Sequence, residues 1–443
     1  MQSPLPDNRR EIVGDSNSNP PIVEGKPRRR FVARQFPPFT PRQWRVFAIS
    51  TTAGFFDNYD SALLSLALQQ IQRGLGIAEA RLGAILSLIR LGYLASLALS
   101  PLADIFGRRR LLLFTIVGYT IFTGISAVAP HTNSFVGAQF LARAFSGAEA
   151  TVSLVILAEE VDATVRGWAL GMQGALSISG YGLAAIVFSL IGIIPFGWRG
   201  LYALALFPLV LIIPLRRILP ESRRFEDARD TKSVQPDILA PLRSLLTSYP
   251  TRLFSVFAVV FVGSMAGGAV GFFVPKFLQD VHHWSPARVS SLYVFGGAIG
   301  IIGNIVAGRI SDRYGRRVVG PLFIACEAVL AYQLYTIRIG VIVLLWIGWL
   351  FCDQAGATIT NAYSAELFPT SFRAAAVSSL YVARYAGGAL GLFGEGLLYG
   401  VFGSHWPAIK MLTVCWLAAA ALMYLLFPET ARRELEEIAP MQS

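Results

Sequence analysis

Residues 101–110 have the sequence PLADIFGRRR, and residues 308–317 repeat its pattern as GRISDRYGRR. The aspartates of the two stretches are 208 residues apart in a chain of 443. Two further pairs keep nearly the same spacing: residues 158–166 are matched by 365–373, and residues 219–222 are matched by 427–430. Three pairs of landmarks at one spacing indicate that the chain contains a duplicated unit.

The composition is that of a membrane protein. Hydrophobic residues make up 54% of the chain and charged residues only 15%, and the mean hydropathy is +0.54. Apolar segments of roughly 20 residues, without the ten-residue alternation of a barrel, predict α-helices that cross the bilayer. A duplicated unit in such a chain is typical of a transporter built from two related halves.

Twelve apolar segments predict an all-α membrane protein with two pseudo-symmetric six-helix halves. The predicted spans are 44–70, 82–102, 111–130, 134–158, 168–193, 198–215, 252–279, 289–308, 318–337, 340–364, 374–399 and 405–427. Most of the 38 Lys and Arg fall in the terminal tails and in the loops after even-numbered spans, which predicts that both termini are cytoplasmic. Such loops, facing an anionic leaflet, explain the net charge of +11 without a nucleic-acid partner.

The predicted spans divide the chain into five segments. We expect a disordered basic cytoplasmic tail, the N-terminal half, a cytoplasmic linker, the C-terminal half and a second cytoplasmic tail, at residues 1–43, 44–218, 219–250, 251–428 and 429–443. The first segment has no apolar stretch of its own, so no cleavable signal peptide is predicted. Three scattered cysteines and the adjacent pair His282-His283 favour neither a disulfide framework nor a metal site, and no cofactor is expected.

The paired signatures resemble those of the major facilitator superfamily, in particular its sugar-porter, phosphate:proton and aromatic-acid:proton symporter branches. The resemblance covers residues from about 44 to 430 and implies alternating access, with the charges of the paired loops forming a cytoplasmic gate. The gate residues that it implies are Asp104, Gly107, Arg108, Glu159, Arg166, Asp312, Gly315, Arg316, Glu366 and Arg373. The alternative is that these charges only set the topology.

Charged side chains inside the spans are functional candidates, because each costs about 2.5 to 3.5 kcal/mol at the bilayer centre. Asp57 and Asp60 are three residues apart and therefore share one face of the first helix. Burial and a neighbouring carboxylate both favour a protonated carboxyl, so this pair is the candidate proton carrier, with Asp60 the first choice. Resemblance to proton-coupled sugar porters implies that Asp60 pairs with Arg143, and that protonation releases the arginine.

Glu149 replaces a glycine of the fourth-helix pattern in those porters. It lies six residues from Arg143, about 120° around the helix, so the two side chains do not share a face. Two interpretations remain open at this point: Glu149 is a second protonation site, or it is a structural acid bonded to another helix. We place it with the proton-coupling residues.

The second half supplies a candidate substrate cavity. Arg384, Gly388, Gly391 and Glu395 form one stripe along the eleventh span. Arg384 could pair with an anionic substrate or with Asp353. The candidate cavity residues are Tyr59, Arg90, Trp349, Asp353, Asn361, Arg384 and Glu395. Arg90 could line the cavity or pair with Asp57, and Glu327 has no assigned role.

We therefore expect a monomeric, multi-pass protein of the cell membrane that moves a small polar or anionic solute, with protons, by alternating access. A facilitator, a proton-antiport exporter and a non-transporting transceptor are the alternatives. An enzyme or ATP-driven pump is not expected, because the sequence has no phosphate-binding Gly-rich loop with its Lys and no nucleophile elbow. Phosphate, organic or aromatic acids and sugars all remain open as substrates.

Overall fold

The computed structural model describes residues 39–99, 102, 107–207, 240–337, 340–369 and 372–431, and these residues are almost entirely helical. In chain order the α-helices are α1 (Pro41–Leu66), α2 (Leu68–Leu75), α3 (Leu82–Leu99), α4 (Arg108–Val128), α5 (Thr132–Glu160), α6 (Ala163–Ser189), α7 (Trp198–Leu204), α8 (Ala240–Ser248), α9 (Pro250–Asp280), α10 (Pro286–Tyr314), α11 (Arg316–Leu334), α12 (Ile342–Glu366), α13 (Arg373–Phe402), α14 (His405–Leu412) and α15 (Val414–Leu426). Residues 1–38, most of the predicted linker and residues 432–443 lie outside this description, so the predicted tails and linker stay predictions.

The helices follow the predicted spans closely. Nine helices in the described part of the chain are long and apolar enough to cross a membrane. Two other predicted spans correspond to α1 and α13, which are 26 and 30 residues long. The sixth predicted span begins with α7 and continues beyond residue 207, outside the described residues.

The pairing of helices repeats between the two halves. In the first half α1 packs along α6, while α3 and α4 both pack along α5. In the second half α9 packs along α13, while α10 and α11 both pack along α12. These are the same pairs once each helix is replaced by its counterpart in the duplicated sequence, which confirms two pseudo-symmetric halves.

The repeated motif forms the same sharp turn in both halves. Gly107 precedes α4 and Gly315 precedes α11, and each has a φ of +94°. Residues with a Cβ are strained in this backbone region, so glycine is required at both places. We call the side of the protein where these two turns lie the motif face, and the other side the opposite face.

The two halves meet at the opposite face. Hydrogen bonds, ion pairs and ring stacks join them in the described residues from the α2–α3 and α13–α14 connections as far as the middle of the molecule. The stacks nearest the middle are Tyr93 on Tyr385, with ring centroids 4.5 Å apart, and Tyr181 on Tyr293 at 5.9 Å. The described ion pairs of the motif face each lie within one half. The closed side is therefore the opposite face.

Candidate functional site

Asp60 and Arg143 form a buried ion pair between α1 and α5. Arg143 Nη1 lies 2.9 Å from Asp60 Oδ2, and each side chain is 3% exposed. The guanidinium also donates to Ser61 Oγ at 2.9 Å and to Gln139 Oε1 at 3.1 Å. Most of its donors are thus satisfied, as a buried arginine requires, and the contact expected from the sequence is present.

Two further acids lie beside this pair. Asp57 accepts a hydrogen bond from Ser146 Oγ on α5. Glu149 is fully buried on α5, near enough to Asp57 for the two charges to repel each other. Neither carboxyl oxygen of Glu149 has a hydrogen-bond partner among the described residues. A bare carboxylate in such surroundings would cost several kcal/mol, so this site accommodates the neutral acid.

The gate charges of each half pair within that half. Arg108 forms an ion pair with Glu159, and Arg316 forms one with Glu366. Arg316 also lies 3.0 Å from Asp312. The equivalence of the first two pairs reproduces the sequence repeat in three dimensions.

Three other predicted gate residues are Arg166, Asp104 and Arg373. Arg166 donates to the backbone carbonyl of Val161 at 3.4 Å. Asp104 lies outside the described residues, and so does the side chain of Arg373. The gating role of all ten predicted gate residues stays a prediction.

The Pro-Glu-Thr signature caps the helix that follows the second motif. Glu429 Oε1 accepts from the backbone N–H of Arg316 at 2.9 Å, and its Oε2 accepts from that of Arg317 at 3.1 Å. Burial alone would raise the pKa of the Glu429 carboxyl, but the N–H groups of Ala431, Arg316 and Arg317 outweigh it and lower the pKa below its ordinary value of 4.5. The charge also lies at the positive end of the α11 dipole.

A cavity of about 360 Å³ lies between the second-half helices and α3. Its wall combines small residues of α9, polar residues of α12 and the indole of Trp416 on α15. The volume lies within the range of small-molecule sites. Of the candidate cavity residues, Arg90, Asp353 and Arg384 line it, and Asn361 accepts a hydrogen bond from Arg384 at 3.3 Å.

Arg90 and Arg384 bring two positive charges to this cavity from different halves. They lie close enough to repel each other, and Arg90 Nε has no hydrogen-bond partner among the described residues. Arg384 also lies near enough to Asp353 for their opposite charges to attract. Two cations that face one cavity can offer charge-assisted hydrogen bonds to an anion.

Glu327, to which the sequence analysis assigns no role, also lines the cavity. Its side chain is 4% exposed, and Asp353 of α12 lines the same cavity. Two carboxyl groups therefore share the cavity wall with the two arginines.

The structure separates three candidate residues from this cavity. Tyr59 is buried and donates to the backbone carbonyl of Leu201 at 3.2 Å. Trp349 packs near Gly271, and Glu395 is fully buried against His405. The stripe that we predicted on the eleventh span is therefore split along its length: Arg384 faces the cavity, and Glu395 lies near the opposite face.

Sequence reasoning missed residues whose signal is weak. Tyr93 bonds Ser61 at 2.9 Å and lies under the guanidinium of Arg143, but an isolated tyrosine in an apolar span has no distinguishing pattern. His405 has no assigned role in the sequence analysis, yet it is the first residue of α14 and is only 4% exposed. Its buried position depends on contacts with the other half of the chain.

Comparison with known proteins identifies the family. The Major Facilitator Superfamily matches residues 51–357. The probable 4-methylmuconolactone transporter of Cupriavidus pinatubonensis is 25% identical over 90% of this chain and 94% of its own length. The 4-hydroxybenzoate transporter PcaK of Pseudomonas aeruginosa is 26% identical over 90% of this chain and 95% of its own.

A solved structure supports the same fold. The inward-open xylose transporter XylE from E. coli superposes with a TM-score of 0.70 at 17% identity, covering 89% of this chain and 99% of XylE. The family match, the paired six-helix halves and the charged turns of the motif face agree with one another. The chain belongs to the Major Facilitator Superfamily and is a multi-pass transporter of the cell membrane, not an enzyme.

Proposed function

We propose that the chain is a proton-coupled symporter of small organic anions, with aromatic carboxylates as the first class to test. The observation that carries this proposal is the buried ion pair of Asp60 and Arg143. Protonation of Asp60 removes the charge that Arg143 neutralises, and a buried guanidinium without its partner is strongly destabilised. Binding or release of one proton can therefore change which conformation is favoured.

Direct contacts lead from the proton site to the surface between the halves. Arg143 donates to Ser61, and Ser61 shares a hydrogen bond with Tyr93. Tyr93 stacks on Tyr385 in the other half. Tyr385 directly follows Arg384, one of the cavity cations, in the chain. These contacts can therefore transmit a movement of Arg143 to the neighbour of Arg384.

The solute class is supported by the cavity charges and by the relatives. Arg90 and Arg384 offer charge-assisted hydrogen bonds to a carboxylate, and Trp416 offers an aromatic face. The relative named for 4-hydroxybenzoate carries a solute that is both aromatic and anionic. Glu149, neutral and without a hydrogen-bond partner among the described residues, is our candidate for a second protonation site in the first half.

Uptake into proteoliposomes tests the proposal. The panel contains 4-hydroxybenzoate, phosphate, xylose and an amine, each measured with and without an imposed pH difference. We expect accumulation of the aromatic acid to require the pH difference. Asp60→Asn should abolish accumulation but retain counterflow, because the amide cannot exchange a proton while the cavity is unchanged.

Asp162→Asn is the matched control, since Asp162 is an exposed aspartate outside the proton site. It should accumulate solute like the parent. Unchanged accumulation by Asp60→Asn would contradict the coupling role. Uptake that is unaffected by the pH difference and by an uncoupler would indicate a facilitator instead. Uptake of xylose or phosphate alone would overturn the proposed solute class.

A further inference from the structure

A buried polar cluster closes the opposite face, and the transport steps proposed above do not use it. We call it the opposite-face cluster: Glu79, Lys276, Asp280, Glu395 and His405. Glu79 belongs to the first half, and the other four belong to the second. Lys276 Nζ lies 3.1 Å from Glu79 Oε1 and 2.6 Å from Asp280 Oδ2. The cluster thus ties the halves together where they touch.

His405 stands between two carboxyl groups. One ring nitrogen lies 2.5 Å from Glu395 Oε1, and the other lies 2.8 Å from Glu79 Oε2. Two such hydrogen bonds require two protons, one in each. A neutral imidazole between two carboxylates supplies only one. The closed arrangement therefore holds one additional proton, on the ring or on Glu395.

The charges around His405 agree with one additional proton in the closed arrangement. The groups that face His405 from the neighbouring elements are Glu79 before α3, Arg73 on α2, Lys276 and Asp280 on α9, Tyr335 near α11, and Glu395 and Tyr399 on α13. Three acids then face two permanent cations, so an imidazolium makes the cluster neutral. Glu395 is fully buried, and its second oxygen has no hydrogen-bond partner in the described chain, so His405 is its main means of stabilisation.

We propose that the Glu79–His405–Glu395 triad is a proton-binding site that couples protonation to closure of the opposite face. When the halves separate there, Glu79 leaves with the first half, while His405 and Glu395 stay together in the second. The remaining hydrogen bond needs a single proton, so opening releases the other. Closure is accordingly favoured at low pH and disfavoured as the pH rises.

The proton exchanges with the medium at the opposite face. The side chain of Glu79 is 42% exposed, and a cleft of about 360 Å³ lined by Glu79, Lys276 and His405 reaches the cluster. Because both termini are predicted to be cytoplasmic, this medium is the exterior. The site senses external acidity whatever solute the cavity takes.

Spin-label distance measurements on the full chain in nanodiscs test the proposal. One label is placed at Asn133→Cys in the first half and one at Val341→Cys in the second, both exposed near the opposite face, after the three native cysteines are replaced by alanine. The closed, short-distance population is measured from about pH 6 to about pH 8, where histidine titrates. One proton difference changes the ratio of two states by up to about tenfold per pH unit.

Glu79→Gln separates the proton from the hydrogen bond. A glutamine amide can donate to the ring, so both contacts of His405 persist with one proton fewer. We expect this variant to remain closed with little pH dependence, which a purely structural role of Glu79 would not produce. His283→Gln, which replaces an exposed histidine of the same face, should keep the parent's slope. The proposal would be overturned if the closed population of Glu79→Gln depended on pH as steeply as that of the parent. It would also be overturned if the closed population of the parent did not depend on pH.

Discussion

At the scale of single residues, one glycine sets the position of a cavity cation. A Cβ at position 388 would overlap the Nε atom of Arg90. Arg90 can therefore lie across α13 only because position 388 has no side chain. A glycine of the second half thus determines where the cation contributed by the first half lies in the cavity.

Gly388→Ala should displace the guanidinium of Arg90 and weaken binding of an anionic solute. A hydrogen bond to a charged group contributes about 1.5 to 3 kcal/mol, so we expect the KM for counterflow to rise about tenfold or more. Gly400→Ala, on the same helix and facing open space, is the matched control and should leave the KM unchanged. An unaltered KM in Gly388→Ala would show that Arg90 does not contribute to binding of the solute.

Residue contacts within one half were more predictable than those between halves. Asp60 and Arg143 were paired from the family pattern, and the structure brings them together. His405 and Glu79 are 326 positions apart in the chain, and their contact exists only because the halves dock. No local pattern marks such a pair.

At the scale of elements, a distant acidic residue stabilises the beginning of α11. The backbone N–H groups of Arg316 and Arg317 are first-turn donors that the helix itself cannot satisfy, and Glu429 accepts both. The span boundaries themselves could be predicted within a few residues, because the bilayer fixes the length of an apolar helix. The capping of α11 by Glu429 could not be predicted, because it joins positions more than 100 residues apart.

Glu429→Gln should lower the stability of the protein at neutral pH by about 1 to 3 kcal/mol, since charge-assisted hydrogen bonds are lost. The lowered pKa of Glu429 means that its contribution is complete above the ordinary value of 4.5 and is lost as the pH falls through the folded value. The difference in melting temperature between parent and variant should therefore shrink on acidification. A pH-independent difference would contradict the capping role of the charge.

At the scale of the whole molecule, the described contacts define a conformation that is closed at the opposite face. The two halves are joined there by the opposite-face cluster and by the tyrosine stacks, while the motif-face ion pairs lie within single halves. Two related bodies that touch at one face leave the cavity between them reachable from the other, as alternating access requires.

A cysteine in the cavity should therefore react from the motif face. Ala357→Cys lines the cavity and, in a chain without its native cysteines, should react with an impermeant maleimide faster in inside-out than in right-side-out vesicles. Asn133→Cys, near the opposite face, should show the reverse order. Equal reactivity of Ala357→Cys in both preparations would contradict the closed opposite face, and a reversed order for both would invert the predicted topology.

The position of His405 at the first residue of α14 has an electrical consequence. A proton that reaches it from the adjoining medium crosses only a small part of the membrane field, whereas a full crossing is worth about 2.3 kcal/mol per 100 mV. Voltage and acidity are then not interchangeable for this protein. The triad at the opposite face should respond to the concentration of protons outside and be nearly indifferent to the membrane potential.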